Sequence, residues 1–473
     1  MAGADLTPLI VNYWAKARPP ADADRAWHPF LWHALDVAAC AEAILDQHTA
    51  LRERLRRLAG GRDLAGLVRA LALVHDLGKL SRFQEQAPEP VRTATGQTHH
   101  RPEISDGLRH TDAGLVLWQA HVTRTLDLDP DASWALDVLM PGVLGHHGVP
   151  ADGHGERARN LLRSATDAAD RAAAVTLAQW ALTDFAGAGS PDDLLAGVTV
   201  LDDATLGRLS FLVAAVVNLA DWLGSDAARF PYAAPDRTAD AYWTQVARPA
   251  ARASVAGSGV IPREPAVQVR FADLFPARAP RPLQAFADAM PLPEGQGLVL
   301  VEDVTGSGKT EAADVLAARM TRAGLGRGVY IALPTTATAE RMAERHRGLH
   351  ARLTDGAGPG SLTLVHGAPG SAGVVDAGTA EARAWMGGDR RRQLMADVAV
   401  GTVDQALLAA LPARFASARL FGLAPKVLVV DEVHAHDAYT GELLAGLLRL
   451  HAALGGSAVL LSATLTADLK QRL

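Results

Sequence analysis

At 473 residues, 49% hydrophobic and with a net charge of −6, the chain has room for roughly two to four globular domains and is too apolar to be disordered. The acidic balance excludes a uniformly basic surface, so any grip on nucleic acid must be a local groove. A single cysteine, Cys40, excludes disulfides, thiolate zinc ribbons and iron–sulfur clusters, and sets the expectation of a reducing cytoplasm.

The first residues, with Asp5 and Pro8, lack a charged segment followed by an apolar one, so no signal peptide is expected. Helical patterning follows over 31–47, 51–58, 64–74, 114–124, 132–139, 172–185, 205–223 and 239–255, which predicts an all-α domain over residues 1–255. The longest apolar run, 209–220, contains Ser210 and Asn218 and stops at Asp221. It reads as a buried helix too short to span a bilayer, and no membrane partner is expected.

Eleven of the 17 histidines precede residue 155. His28, His48, His99, His100, His121 and His154 sit in polar or loop contexts and are expected at the surface. The others form a constellation. His33 opens an apolar helix, and His75-Asp76 ends the run 67–74. His110 lies in Arg109-His110-Thr111-Asp112, and His146-His147 lie between Gly145 and Gly148, small neighbours that let two imidazoles approach one centre. Asp221 closes the apolar run in Ala220-Asp221-Trp222. A carboxylate at the end of so apolar a stretch needs a partner, because a buried unpaired charge is costly. Imidazoles and carboxylates without thiolates suit Mn, Fe, Co, Ni or Zn. In His75-Asp76 the carboxylate can touch two ions and the imidazole one, the minimum for a two-cation site of the kind that cuts phosphodiesters.

From Phe230 to Gly297 the chain is rich in Pro and Gly, which predicts a joint; a linker is expected over 256–267. Beyond it, over 268–473, short apolar strands at 297–301, 328–333, 362–366, 397–401, 427–430 and 459–461 alternate with helical stretches, so an α/β domain with a parallel sheet is predicted. Thr305-Gly306-Ser307-Gly308-Lys309-Thr310 lies between a strand and a helix, with Asp303 where the pattern usually has its first glycine. In such a loop backbone N–H groups close on phosphates, the lysine reaches the β/γ phosphates and the threonine binds Mg²⁺. Asp431-Glu432 follows a strand; Asp431 would hold Mg²⁺ through water and Glu432 would polarise the attacking water, unless the pair only caps a helix. Arg390-Arg391-Arg392 and the group Arg52, Arg54, Arg56 and Arg57 are the main basic spots, the second read as a solvated face.

The segments His33, His75-Asp76 with Lys79, Arg109-His110, Gly145-His146-His147-Gly148 and Ala220-Asp221-Trp222 resemble the HD superfamily of metal-dependent phosphohydrolases. More narrowly, they resemble the HD nuclease domain of the CRISPR-associated helicase–nuclease of type I systems. The resemblance implies one ion on His33, His75, Asp76 and Asp221 and a second on Asp76, His110, His146 and His147, with Asp76 bridging. His99 and His100 are nearby alternatives to His110. Lys79 would neutralise the scissile phosphate, or would be a solvated lysine at a helix C-terminus.

The later motifs resemble the first RecA-like domain of a superfamily 2 helicase, with Gln284 in Arg281-Pro282-Leu283-Gln284 as an adenine reader and Ser462-Ala463-Thr464 as the coupling segment. Pro334-Thr335-Thr336 and Gly401-Thr402-Val403-Asp404-Gln405 occupy positions that touch the nucleic-acid backbone. Val400 to Leu408 and Val430 to Asp437 match the CRISPR-associated family. The resemblance implies two transition-metal ions (Fe²⁺, Mn²⁺, Co²⁺ or Ni²⁺), ATP with Mg²⁺, single-stranded DNA as substrate and recruitment to a type I CRISPR surveillance complex carrying an R-loop. It also implies 3′-to-5′ degradation of the displaced strand.

The chain stops at Leu473, where the family continues into a second RecA-like domain with arginine fingers. The expectation is a nuclease with weak ATP hydrolysis and no translocation by itself, because such fingers contribute about 10³–10⁵ in rate. The missing half would be a separately encoded partner or lost by truncation. Two competing readings are a phosphohydrolase of small nucleotides with a regulatory P-loop half, and an inactive remnant.

Overall fold

The structure, a computed structural model, describes residues 4–19, 21, 25–97, 108–152, 164–265, 269–353, 360–367, 373–435, 437–465 and 467–472. It divides into two compact units, Met1–Val255 and Ala256–Leu473.

The first unit is helical. At its centre lies Phe30–Gln47, buried on every side from Phe30 to Leu45 apart from Glu42, as a helix apolar all round must be. It packs against Ala65–Leu73 and Asp203–Gly224, and the latter also packs on Pro130–Leu144. Asp202 starts the long helix by accepting from the Thr205 N–H at 2.9 Å. Gly224 ends it against Val37, whose backbone N lies 3.2 Å from where a Cβ would sit.

That helix is longer than the apolar run suggests. With 22 residues it is long and apolar enough to cross a membrane by length and composition, but 72% of its most apolar window is buried inside the protein, so it is a core helix. The one sheet element among the described residues of this unit is a short antiparallel pair, β1 (Trp14–Lys16) with β2 (His28–Pro29).

Two histidines expected at the surface are buried. His28 is 2% exposed, with Nε2 3.0 Å from Asp36 Oδ2 and Nδ1 accepting from Ala233 N–H. His48 caps the helix Thr49–Leu58 by accepting from Leu51 N–H. Both look polar in sequence because their partners are local backbone or a distant carboxylate. His121 is half-buried, and His99, His100 and His154 lie outside the described residues.

The expected linker is ordered at its start. Helix Arg248–Ser258 runs past 255 because its breakers, Pro262 and Pro265, come later; it ends at Gly259, whose φ of +77° is the left-handed conformation that terminates helices. Val260 is buried and Arg263 N–H donates to Asp397 at 2.8 Å; residues 266 and 267 lie outside the described ones.

The second unit is built on a seven-stranded sheet. Its strands are β3 (Leu298–Glu302), β4 (Val329–Leu333), β5 (Leu362–Val365), β6 (Gly373–Asp376), β7 (Val398–Thr402), β8 (Val427–Val430) and β9 (Ser457–Ser462), in the order β3-β9-β8-β4-β7-β5-β6. Six strands run parallel. The edge strand β6, not anticipated from the sequence, pairs antiparallel with β5. Residues such as Val301, Ile331, Val400, Val429 and Val459 form the core on the helix-covered sheet. The order places the carboxyl ends of β3, β9 and β8 side by side, where ligands gather in open α/β sheets.

Candidate metal centre and nucleotide site

Five separate pieces of backbone build the first site. His33 lies in the first turn of Phe30–Gln47. Helix Ala65–Leu73 stops at Val74, and the chain turns through His75 and Asp76 into the tight turn Leu77–Lys79. His110 begins the helix His110–Leu117, His146-His147 follow the end of Pro130–Leu144, and Asp221 sits in the last turn of Asp203–Gly224.

The seven predicted ligands cluster around Asp76, which faces four of the imidazoles directly. Its Oδ2 lies 3.4 Å from His33 Nε2 and 3.5 Å from His75 Nε2. Asp221 Oδ1 closes that side at 3.5 Å from His33 and 3.8 Å from His75. The other oxygen, Oδ1, lies 3.3 Å from His110 Nε2 and 3.5 Å from His146 Nε2. His147 Nε2 is 3.0 Å from His110 Nε2. His33, His75 and Asp221 form one group whose ligand atoms lie within 4.8 Å of one another, and His110, His146 and His147 form another.

The donor set fits a pair of divalent cations. His33 Nε2, His75 Nε2 and Asp76 Oδ1 are buried and have no hydrogen-bond partner among the described residues. Such orphans are rare in a folded interior unless a ligand completes them. Second contacts orient the donors, as metal ligands require. His75 Nδ1 faces the Ala72 carbonyl at 2.8 Å, so Nε2 turns inward. Ser225 Oγ donates to Asp221 Oδ1 at 2.8 Å.

Electrostatics leave the imidazoles neutral and the carboxylates ionised, the state that binds metal. Burial pushes His75 and His146 down to about 4, and lowers His33 and His110 as well. Burial opposes ionisation of Asp76, but the Lys79 ammonium holds its carboxyl well below the usual range, and Lys16 does the same for Asp221.

A stability prediction follows. A histidine with a folded pKa near 4 and an unfolded value of about 6.5 gains its proton on unfolding between those limits. The metal-free chain is therefore expected to keep this contribution above about pH 6.5 and to lose it as the pH falls towards 4. Melting temperatures in EDTA from pH 7.5 to 4.5 should drop progressively in that window; a flat profile would contradict the burial of these rings.

Lys79 is 6% exposed and donates to Asp76 Oδ2 at 2.6 Å and to the Ala15 carbonyl at 3.1 Å. It is thus neither a solvated lysine nor, in this conformation, directed outward. The glycines around His146-His147 also act differently from expectation. A Cβ on Gly145 would lie 2.3 Å from the Val149 carbonyl, and Gly148 has a φ of +94°, so both serve the return of the backbone rather than the approach of the imidazoles.

Three further residues shape the site and were not foreseen. Gly78 lets the backbone of His110 approach, Ser225 holds Asp221, and Lys16 Nζ donates to Ser225 Oγ at 2.8 Å. Ser225 could have been found from its position four residues after Asp221, on the same helix face. Lys16 and Gly78 carry no such signal.

In the second unit the P-loop follows β3. Gly306 and Gly308 have φ of +83° and +95°, and Gly308 precedes helix Lys309–Arg322. Lys309 Nζ donates to the carbonyls of Asp303 and Val304 at 2.7 and 3.0 Å. Thr310 and Ser307 are half-buried beside it and Thr305 is exposed.

Gln284 is 4% exposed, accepts from Arg281 N–H at 2.9 Å and donates to the Gly308 carbonyl at 3.4 Å, while Arg281 bonds the Gly306 carbonyl. Its side chain therefore rests on the P-loop itself. Asp431 and Glu432 follow β8; burial, then Glu432, raises the Asp431 carboxyl, and Glu432 is held at a φ of +53°. His434 Nε2 lies 3.1 Å from Glu432 Oε2 and its Nδ1 3.0 Å from Ser462 Oγ at the end of β9.

Of the basic spots, Arg391 pairs with Asp389 and lies 3.8 Å from the Phe415 ring centre, Arg52 pairs with Asp46 and Asp63, and Arg56 with Glu53.

Comparison with known proteins gives two family matches. The family "Cas3, HD domain" matches residues 14–230, and the family "DEAD/DEAH box helicase" matches residues 283–472. The CRISPR-associated endonuclease/helicase Cas3 of Thermus thermophilus is 36% identical over 481 residues, spanning 96% of this chain and 49% of that protein. The crystal structure of T. fusca Cas3 with AMPPNP superposes with a TM-score of 0.78 at 29% identity, over 98% of this chain and 52% of the other. A structure described as a CRISPR RNA-guided surveillance complex, pre-nicking, contains a chain matched with a TM-score of 0.67 at 28% identity, over 98% of this chain and 49% of that one. The chain spans about half the length of the curated relatives it matches, 49% and 55% in two of them.

Proposed function

The chain belongs to the CRISPR-associated Cas3 family by its HD domain and the DEAD/DEAH box helicase domain that follows, and from that premise we propose that its first unit is a metal-dependent single-stranded DNA nuclease. The observation that carries the reading is the double-sided use of Asp76, with Oδ2 towards His33 and His75 and Oδ1 towards His110 and His146. One divalent cation would be held by His33, His75, Asp76 and Asp221, the second by Asp76, His110, His146 and His147. The donor set suits Mn²⁺, Fe²⁺, Co²⁺ or Ni²⁺. Such a pair supplies a water activated near neutral pH and positive charge on both sides of an in-line displacement at phosphorus.

The protein's own share is to keep these donors deprotonated and fixed. Burial keeps the imidazoles neutral, Lys79 fixes the rotamer of Asp76, and Ser225 fixes Asp221. His147 is exposed and marks a side open to solvent.

The helicase domain implies ATP. We assign phosphate binding to Thr305, Gly306, Ser307, Gly308 and Lys309, and Mg²⁺ to Thr310 and Asp431. Glu432 would orient the hydrolytic water, and Gln284 would support the loop on the adenine side. The strand order supports this assignment, because β3, β9 and β8 are neighbours and bring these loops together. In the whole protein, this half would drive 3′-to-5′ movement on DNA displaced by a type I surveillance complex, a partner suggested by the matched pre-nicking assembly.

The test is to load the purified chain with each metal and offer circular single-stranded DNA or deoxynucleoside triphosphates. Linearisation and degradation of the circle, abolished by EDTA, are expected. Triphosphate hydrolysis with intact circles would replace this reading with a small-nucleotide phosphohydrolase.

A further inference from the structure

Two lysines flank the metal centre, and the structure separates their roles. Lys79 is enclosed, with its ammonium on Asp76 Oδ2 and on the Ala15 carbonyl. Lys16, the next residue along β1, is half-buried, and among the described residues its one hydrogen bond is the 2.8 Å contact to Ser225 Oγ. An ammonium has three N–H donors, so two remain available on a side chain held beside Asp221.

The strand that carries Lys16 is not free to drift. Trp14 N–H donates to Gln84 Oε1 at 2.8 Å, Gln84 Nε2 returns to the Trp14 carbonyl at 3.0 Å and to the Lys79 carbonyl at 2.8 Å, and Trp14 Nε1 donates to the Gln84 carbonyl. This lattice ties β1 to the turn bearing His75 and Asp76, and through Ser225 to the helix bearing Asp221. A cation so placed costs desolvation and repulsion from Lys79, and its attraction to Asp221 offsets only part of that. A substrate that brings negative charge to the centre gives the cation a further function.

We propose that Lys16, rather than Lys79, donates to a non-bridging oxygen of the DNA phosphate engaged at the metal centre, while Lys79 acts as a positioning residue for Asp76. The proposal rests on the nuclease reading above.

The test compares the full chain with Lys16→Ala, Lys16→Arg and Lys79→Ala, all loaded with Mn²⁺. Metal content per chain is measured by mass spectrometry, and cleavage of a short single-stranded oligonucleotide is followed as a function of substrate and salt. For Lys16→Ala, metal content should match the parent and kcat/KM should fall about 10- to 100-fold, as for loss of one hydrogen bond to a charged group. The slope of log kcat/KM against log salt should become shallower by about 0.7, the single-strand value per phosphate contact. Lys16→Arg should recover most of the loss. Lys79→Ala should lower metal content and leave the salt slope unchanged. Loss of metal in Lys16→Ala would overturn the proposal in favour of a role through Ser225 and Asp221. An unchanged salt slope would overturn it without touching the nuclease reading. A parent chain that cuts no DNA would remove both.

Discussion

Replacing Asp76 by alanine is expected to abolish DNA cleavage and to strip the first unit of both metal ions. Its carboxylate is 1% exposed and faces four imidazoles and Lys79 at once. No other described carboxylate pairs with imidazoles of both groups, so its loss is not made good by Asp221. The cation pair contributes several kcal/mol to the transition state, which corresponds to a fall of about 10³-fold or more in rate. The substitution also leaves Lys79 buried beside an apolar side chain, a change that costs about 3–5 kcal/mol for a broken buried pair. Asp76→Asn keeps the shape and separates the effects: it should melt nearer the parent yet remain inactive. Parent-like metal content in either variant would show that the two ligand groups do not depend on the bridge.

The second large effect is expected from a residue that touches no ligand atom. In Gly78→Ala the new Cβ would lie 1.8 Å from the His110 carbonyl oxygen, 2.4 Å from Gly114 N and 2.8 Å from the His110 carbonyl carbon. All three are backbone, so no rotamer change relieves the clash. Helix His110–Leu117 has to move away by on the order of 1 Å or more, with a stability loss of about 1–3 kcal/mol as for other overpacked interiors. His110 moves with it, whereas His33 and Asp221 are carried by other elements. Metal content should therefore fall selectively, from two ions towards one, with cleavage lost.

Gly207→Ala is the matched control. That position lies in a helix with nothing within 4 Å of a new Cβ, so the variant should be active and more stable by up to about 1 kcal/mol. Two ions and parent activity in Gly78→Ala would mean that the turn and the helix can separate without cost.

Much of the site could be read from the chain. His33, His75, Asp76 and Asp221 stand out because polar, metal-compatible side chains border or interrupt strongly apolar helices, His110, His146 and His147 join them through the family resemblance, and the structure gathers all seven. The P-loop and the acidic pair after β8 are visible because a strand, a loop and a helix follow one another within a few residues. The environment of these groups was harder to read. Lys79 was expected either against the scissile phosphate or in solvent, and is found buried against Asp76. His28 was expected in solvent and is found against Asp36, eight residues away in the second turn of the next helix. The resemblance implies that Gln284 reads adenine, and the structure adds that its side chain rests on the P-loop. Strand β6 is antiparallel and half-buried throughout, so Gly373 to Asp376 lacks the apolar run that marks the equally short, fully buried β5 and β8.

Sequence alone singled out which residues could bind metal or phosphate and which stretches form the longer helices and the parallel strands. Those properties depend on side-chain chemistry and on periods of a few residues, and both are local. The tertiary structure decided the division of Asp76 between two ligand groups, the different placing of Lys16 and Lys79, and the need for glycine at 78. Each of these depends on how closely distant pieces of backbone approach, and that distance is set by packing of the whole helical unit.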